Sequence, residues 1–283
     1  MKFGLDSIFS AFDQAFSIKK IFIALVHFLI GAAIFLLLSY LGGKITQDIN
    51  GVYAFMILGG VIYYFLMIRL TYILTFFSHQ ELNFNEKPSY QKAVKDFREK
   101  KWKVIFVPIV FIFIIGAVLL LETAIIYGFY QLNKVGDILQ GIFLIPFFFL
   151  NFFLFVSLLF GSSLVLNLLI DQNSSFFRTI NQVFLTVKKR FKLFCIYSLM
   201  ALFVFGLIVF FLSFLGYLSL WISGYGLIIK YFKTILNYGI FYLDTPIRIV
   251  LAVNVGILGS LFLSYLYSAY SHVGNSIYLS LKD

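Results

Sequence analysis

The chain is organised as long apolar stretches joined by short polar connections. Six stretches are long enough to form membrane-spanning helices, because about 20 apolar residues cross a hydrocarbon core roughly 30 Å thick. Backbone polar groups in lipid have to be paired within the segment, which favours helices over open strands. The pattern therefore predicts an all-α fold class, a polytopic integral membrane protein with one membrane domain, 1–283. The six predicted transmembrane helices are residues 21–41, 52–77, 104–129, 138–170, 193–222 and 249–272.

Three charged islands interrupt this apolar pattern, at residues 7–20, 89–103 and 175–192. Each island opens with a serine, a residue that suits a helix N-cap because its hydroxyl can accept an unpaired backbone N–H. Each then ends in a basic cluster directly before an odd-numbered span. The three serines are Ser7, Ser89 and Ser175.

The islands have the periodicity of amphipathic helices that lie along a membrane surface. In the middle island Tyr90, Ala93 and Val94 begin an i, i+3, i+4 apolar face. Because the islands start 82 and 86 residues apart, we predict three pseudo-repeats, each an interfacial amphipathic helix followed by a transmembrane hairpin. The alternative is three ordinary loop helices that look alike because interfaces favour similar residues. The predicted pseudo-repeats are 1–82, 83–170 and 171–283, with one further surface helix over 225–246.

The distribution of charge along the chain indicates which kind of molecule its basic residues contact. Hydrophobic residues make up 61% of the chain and charged residues 12%, yet the net charge is +10. Sixteen Lys and Arg flank one side of the predicted membrane and five flank the other, which predicts cytoplasmic N- and C-termini in a bacterial inner membrane. Short basic loops there favour contact with anionic lipid headgroups rather than with nucleic acid. The residues predicted to contact inner-leaflet lipid are Lys19, Lys20, Lys100, Lys101, Lys103, Lys188, Lys189, Arg190 and Lys192.

Two ionisable residues fall inside predicted spans, and such residues are functional candidates by default. Arg69 and Glu122 differ in predicted depth by about 13 Å, which argues against a direct pair. His27 lies near the level of Arg69, and Asn254 near that of Glu122, while Asn151 is expected to form an interhelical hydrogen bond. Two interpretations remain: a substrate or proton path, or structural and snorkelling roles.

The sixth span has a ladder of small residues four positions apart, which permits close helix packing. By default we expect the ladder to contact another helix of the same bundle. The alternative is that it contacts a second copy of the chain in a homodimer, and a partner membrane protein is also compatible with the pattern. The ladder consists of Ala252, Gly256, Ser260, Ser264 and Ser268.

Few residues point to catalysis. Ser163 in the fourth span and His272 at the end of the sixth superficially resemble the dyad of rhomboid intramembrane proteases, but the motif around the serine is broken and no oxyanion hole is evident. The single cysteine, Cys195, and three histidines do not form a metal-ligand pattern. No cofactor fingerprint appears, and Asp171 is assigned to no site. We therefore predict no catalytic residue, no metal and no cofactor.

The junction "NLLIDQNSSFFRTINQVFLTVKKRFKLFCIYSLM", residues 167–200, resembles a pattern in YciC-type bacterial inner-membrane proteins and in the membrane domain of some glycerophosphodiester phosphodiesterases. The resemblance implies a six-helix membrane module, and no catalytic residue carries over because the barrel domain is not in this chain. The predicted function is a non-enzymatic membrane protein in envelope or lipid homeostasis, or a membrane scaffold. Alternatives are a transporter or channel subunit for a small or lipid-like solute and, more remotely, an intramembrane serine protease.

Overall fold

The described part of the chain is helical. The computed structural model describes residues 9–10, 13, 16–45, 49–84, 87–172, 175–238 and 245–282, with side chains except at 49, 133, 153, 157 and 216–255. The helices are α1 (Ile18–Ile45), α2 (Ile49–Phe84), α3 (Tyr90–Tyr130), α4 (Asn133–Val156), a π-helical turn (Ser157–Gly161), α5 (Ser162–Asp171), α6 (Phe176–Lys189), α7 (Phe191–Tyr238) and α8 (Thr245–Lys282).

Five helical segments are long and apolar enough to cross a membrane, judged by length and composition. They contain the first four predicted spans and most of the fifth. The sixth predicted span, 249–272, lies in α8, partly on residues whose side chains are not described, and is not among the five. The five segments are Ile18–Ile45, Asn50–Phe84, Tyr90–Tyr130, Lys134–Asp171 and Phe191–Leu215.

The apolar segments bury little of themselves inside the chain. Of their most apolar windows, only 6% to 22% is buried. A soluble protein rarely exposes apolar surface on this scale, because contact between apolar groups and water is unfavourable. The exposed surface therefore agrees with a hydrocarbon surrounding rather than an aqueous one.

The predicted repeat unit is not uniform. The third island forms a separate helix, α6, which ends at Arg190 in a non-helical conformation (φ −118°, ψ 34°) before α7 begins. The middle island has no such boundary, since α3 continues from Tyr90 through Pro108 to Tyr130. The expected separate surface helix is therefore absent there, and the expected helix over 225–246 is continuous with α7 as far as Tyr238. Ser7 lies outside the described residues.

Ser89 and Ser175 do occupy N-cap positions, as predicted, with extended backbones. Their hydroxyls form no capping hydrogen bond. Instead the Ser89 backbone N–H donates to Gln80 Oε1 at 3.4 Å, which connects the start of α3 to α2. At the other cap, the Thr179 hydroxyl donates to the Ser175 carbonyl at 3.0 Å. The pattern located the caps, but other groups form the hydrogen bonds.

The chain divides into two compact units. Among the described residues, the first unit comprises those within 75–198 and 274–282, and the second comprises those within 9–74 and 199–273. The core of the second unit is an apolar cluster to which α1 and α2 contribute most residues. One edge-to-face aromatic pair, Phe28 with Tyr267 at 5.3 Å between ring centroids, adds α8 to that core. The cluster contains Ala24, Phe28, Met67, Leu70 and Leu74.

Candidate functional site

Buried polar side chains of the first unit gather where the ends of α2, α5 and α8 meet. His79 on α2 is 2% exposed and Asn275 on α8 is fully buried. Asn275 Nδ2 donates to the Ser78 carbonyl at 3.0 Å, and Asn275 Oδ1 lies 3.3 Å from His79 Nδ1. Because a buried polar group without a partner is costly, these bonds fix the end of α8 against α2. We call Ser78, His79, Asn167, Asp171, Asn275, Tyr278 and Lys282 the polar cluster.

Asp171, the last residue of α5, links the three helices of the polar cluster. Its Oδ2 atom accepts hydrogen bonds from Tyr278 Oη at 2.8 Å and from Lys282 Nζ at 2.6 Å. Its Oδ1 atom lies 3.9 Å from His79 Nε2. A carboxylate at a helix C-terminus is unfavourable beside the helix dipole, and the Lys282 ammonium offsets that effect. The Lys282 side chain is half exposed, so solvent screens part of this attraction.

Tyr278 lies beyond the predicted sixth span and acts as a hydrogen-bond donor. Burial, and then the hydrogen bond to Asp171, raise the pKa of the Tyr278 phenol far above its ordinary value. The phenol therefore stays protonated near neutral pH and keeps donating to Asp171. Tyr278 thereby ties the end of α8 to the end of α5.

A close helix contact completes the same region. A Cβ atom on Gly274 of α8 would lie 2.7 Å from Ser163 Cβ on α5, closer than van der Waals contact allows. Glycine is thus required for α8 to approach α5 at this level. Ser163 is fully buried, and Asn167, also fully buried, donates from Nδ2 to the Ser163 carbonyl at 2.9 Å. Asn167 also lies beside the His79 ring, which connects this contact to the polar cluster.

A cavity of about 350 Å³ opens beside the polar cluster, between α5, α6 and α8. Its apolar wall is formed by Leu164, Leu168, Val183, Leu185 and Leu281. Its polar wall is formed by Gln172, Gln182, Thr186, Lys189, Tyr278 and Lys282. Apolar and basic groups thus face the same space, which is the arrangement that an amphiphile with an anionic head requires.

Helix α6 presents aromatic and basic side chains on its outer surface. Thr179 and Val183 are buried, whereas Phe177 and Phe184 are 80% and 68% exposed. Lys188 is also exposed, at the end of the helix. Exposed aromatic side chains beside basic ones are typical of helices at a membrane interface. Helix α3 also presents an aromatic side chain beside a basic one: Trp102 is exposed, and Lys101 Nζ lies 5.6 Å from its ring centroid.

The predicted lipid-contact residues divide by exposure. Those exposed are Lys19, Lys101, Lys188, Lys189 and Lys192, and those partly exposed are Lys103 and Arg190. Lys20 is fully buried and Lys100 is 8% exposed, so the prediction of headgroup contact does not fit them. The Lys100 ammonium instead binds Asp96 Oδ1 at 2.9 Å and the Ile170 carbonyl at 3.4 Å. The turn of α3 that carries Lys100 faces α5, which the basic cluster in the sequence did not reveal.

The intramembrane polar candidates have different neighbours. Glu122 on α3 is 8% exposed, and its Oε1 accepts a hydrogen bond from Asn151 Nδ2 on α4 at 3.0 Å. Glu122 Oε2 and Asn151 Oδ1 are buried without a hydrogen-bond partner among the described residues. The side chain of Asn254 lies outside the part of the chain that the structure describes. In the second unit, His27 Nδ1 donates to the Ile23 carbonyl at 2.8 Å, and the charge of Arg69 acts on the same ring.

The small-residue ladder of α8 is buried over only part of its length. Ser260, Ser264 and Ser268 are buried, with the Ser264 hydroxyl donating to the Ser260 carbonyl at 2.6 Å. Gly256 is exposed, and the side chain of Ala252 lies outside the described residues. The prediction that the ladder serves helix packing stays a prediction, and the burial of the three serines is compatible with it.

The protease-like residues have structural surroundings. His272 Nε2 in the second unit lies 2.8 Å from the Ser10 hydroxyl. Ser163 in the first unit is fully buried beneath Gly274, which leaves no room for a scissile bond at its hydroxyl. Within the described residues, no group of three or more His, Cys, Asp and Glu side chains is arranged to hold a metal ion.

Sequence reasoning missed the polar cluster, and the statement that Asp171 belongs to no site was wrong. His79 pairs with Asn275 across 196 residues of sequence, and Tyr278 with Asp171 across 107. The available signal was the spacing of Asn275, Tyr278 and Lys282, which fall on one helical face at i, i+3 and i+7. That face follows the sixth predicted span, where a solvent-exposed tail is the ordinary expectation.

No protein-family model, no curated protein and no solved structure matches the chain. A function for the protein is therefore argued from its own sequence and structure. The resemblance to YciC-type proteins therefore stays a prediction.

Proposed function

We propose that the protein is a non-enzymatic, six-span protein of a bacterial inner membrane, with both termini in the cytoplasm. In this proposal it binds anionic lipid headgroups of the inner leaflet and so contributes to lipid or envelope homeostasis. The three pseudo-repeats place one basic segment before each odd-numbered span, which gives the inner side three points of contact with lipid. The resemblance to YciC-type proteins points in the same direction.

The observation that carries the proposal is the pairing of exposed aromatic and basic side chains on α3 and α6. Phe177 and Phe184 are apolar enough to enter the headgroup boundary, while Lys188 reaches the phosphates above it. Trp102 with Lys101 repeats this arrangement at the start of α3. Each Lys near an anionic surface contributes about 1 kcal/mol of attraction.

The polar cluster supports this function indirectly. Its hydrogen bonds hold the end of α8 between α2 and α5, and α6 packs against the same region through Thr179 and Val183. A surface helix with a fixed position presents its aromatic and basic residues to the lipid in one orientation. The cluster is in this view a positioning element and not a reaction centre.

The test is lipid preference in a bilayer. The full chain is reconstituted in nanodiscs that contain phosphatidylglycerol or phosphatidylcholine, and annular lipid exchange is measured at low salt. Wild type is expected to prefer phosphatidylglycerol, and Lys101→Gln with Lys188→Gln should each lower that preference about fivefold. Lys134→Gln is the matched control, because it removes an exposed charge at the opposite end of the helices.

Equal lipid preference for the two headgroups in wild type would contradict the proposal. An equal effect of Lys134→Gln would contradict the predicted orientation. Proton or solute flux in proteoliposomes that Glu122→Gln abolishes would favour the transporter alternative instead.

A further inference from the structure

We propose that the cavity between α5, α6 and α8 is a binding site for the headgroup of a glycerophospholipid with a single negative charge and a free hydroxyl. This inference rests on the lipid-contact function proposed above and assigns one defined site to it. Four properties of the cavity carry the inference: its size, its charge, one unpaired acceptor and its apolar wall.

The size of the cavity fits part of a lipid. Ligand sites commonly enclose about 300–1,000 Å³, and this cavity, at about 350 Å³, lies at the lower limit. It has room for a headgroup and the glycerol that follows, while the acyl chains remain outside. A lipid bound in this way keeps its chains in the bilayer and places only its polar part against the protein.

The charge of the cavity matches a monoanion. Lys189 and Lys282 line it, and Asp171 neutralises one of these charges through its 2.6 Å contact with Lys282. One excess positive charge remains, which a phosphodiester balances. A phosphomonoester carries up to two negative charges near neutral pH and would leave one of them without a partner.

Asp171 also acts as a positioning residue for Lys282. Tyr278 Oη and Lys282 Nζ both donate to Asp171 Oδ2, so the carboxylate holds these two lining residues in place. Lys282 is half exposed and keeps further N–H groups for a ligand. The ammonium is therefore placed at the cavity wall before a lipid arrives, which lowers the entropy cost of binding.

An unpaired acceptor points to a hydroxyl on the headgroup. Gln182 lines the cavity, and its Oε1 atom is buried without a hydrogen-bond partner among the described residues. Leaving such an atom unpaired costs about 1–3 kcal/mol. The atom has almost no accessible surface, so the Gln182 amide has to turn toward the cavity before a ligand hydroxyl can donate to it. A glycerol hydroxyl supplies this donor, whereas the methylated choline headgroup has none.

The apolar lining residues favour a lipid over a free ion. Leu164, Leu168 and Leu281 face the same cavity as the two lysines. Methylene groups next to the glycerol can contact these leucines while the phosphate reaches Lys189. A free phosphate ion would use the basic side of the cavity and leave the leucines unoccupied.

The experiment compares a lysine that lines the cavity with an exposed lysine that does not, at a salt concentration that screens surface charge. The full chain is purified in zwitterionic detergent, and its affinity for phosphatidylglycerol and for phosphatidylcholine with the same acyl chains is measured by native mass spectrometry. The ionic strength is about 0.5 M, where the Debye length is roughly 4 Å and attraction by exposed charges is largely removed. Thermal midpoints of all variants are recorded to show that they are folded.

Wild type is expected to retain its preference for phosphatidylglycerol at this salt concentration. Lys189→Gln should lower the affinity for phosphatidylglycerol about tenfold, and Gln182→Leu about fivefold, with the affinity for phosphatidylcholine unchanged. Lys134→Gln is the control, because it removes an exposed lysine charge that does not line the cavity. It should leave the affinity within twofold of wild type.

Equal losses in Lys134→Gln and Lys189→Gln would overturn the cavity site. The proposed function would survive that result if wild type still preferred phosphatidylglycerol in nanodiscs at low salt. No preference at low salt would refute the proposed function itself. Two soluble compounds distinguish the ligand sources. Displacement of the lipid by inorganic phosphate at millimolar concentration would overturn the lipid assignment. Displacement by glycerophosphoglycerol but not by inorganic phosphate would support it, because this compound is the headgroup and glycerol of the lipid.

Discussion

Two regions of the first unit differ in an instructive way. The basic end comprises residues 75–104, 160–192 and 274–282, and the hairpin end comprises residues 112–150 of α3 and α4. At the basic end, residues 274–281 are buried without interruption, although most of them are Gly, Asn, Ser or Tyr. At the hairpin end, Glu122 and Gly136 are the only buried residues among those described.

The two regions thus invert the arrangement of a soluble protein. The largely polar segment 274–281 is enclosed by protein, and the apolar sequence of the hairpin end is exposed. In hydrocarbon this arrangement is favourable, because polar groups need hydrogen-bond partners from the chain while apolar groups are satisfied by lipid. Stability and specific geometry should therefore depend on the basic end far more than on the hairpin end.

The largest expected difference in the free energy of unfolding comes from truncating one phenylalanine side chain in each region. Phe160 at the basic end is fully buried, while Phe148 at the hairpin end is 66% exposed. Phe160→Ala should lower the free energy of unfolding by about 3–5 kcal/mol because it leaves a cavity. Phe148→Ala should change it by less than about 0.5 kcal/mol, the range typical of surface positions. Unfolding in detergent followed by circular dichroism measures both, and similar losses would mean that the hairpin end is packed against protein.

A second difference concerns close helix contact. Gly274→Ala places a Cβ atom 2.7 Å from Ser163 Cβ, so α8 and α5 have to separate. We expect a loss of about 1–3 kcal/mol from overpacking. Gly256→Ala in the same helix is the control, because the residue is exposed and nothing lies within 4 Å of the position that the added methyl group would take. Thermal midpoints measure both effects, and Ser163→Gly should partly restore the Gly274→Ala variant.

The buried pair of the hairpin end gives a third test. Asn151→Leu removes the donor to Glu122 Oε1 and leaves a buried carboxyl unpaired, which should cost about 1–3 kcal/mol. Glu122→Gln keeps the acceptor and adds N–H groups that can reach the unpaired Asn151 Oδ1. Its thermal midpoint should equal or exceed that of wild type. A decrease as large as that of Asn151→Leu would show that the carboxylate itself is required.

The smallest expected difference in stability is between variants of two adjacent lysines of α3 at the basic end. Lys100→Gln breaks the contacts with Asp96 and the Ile170 carbonyl and should cost about 1 kcal/mol. Lys101→Gln alters an exposed charge and should leave the thermal midpoint unchanged while it lowers the preference for anionic lipid. A lower thermal midpoint for Lys101→Gln together with an unchanged one for Lys100→Gln would contradict the burial of Lys100.

Much of the hairpin end was predictable, and much of the basic end was not. Spans 104–129 and 138–170 follow from local composition, since an uninterrupted apolar run in lipid has one stable backbone conformation. Ser89 and Ser175 were placed correctly because N-caps depend on a few neighbouring residues. The burial of Lys20 and Lys100 and the contacts of Asp171 were not predicted, because they depend on which distant helix faces each turn.

The sequence by itself predicted an all-α membrane protein with six spans, because length and apolar composition indicate helices in lipid. The described residues are helical, and five of their helices are long and apolar enough to cross a membrane. The sequence also located the basic islands and two helix caps. The tertiary structure alone decided that residues 274–281 are enclosed rather than exposed, that His79, Asp171 and Asn275 meet, and that a cavity with two lysines opens beside them. Hydrogen bonds between residues more than 100 positions apart follow from helix packing, which no local pattern specifies.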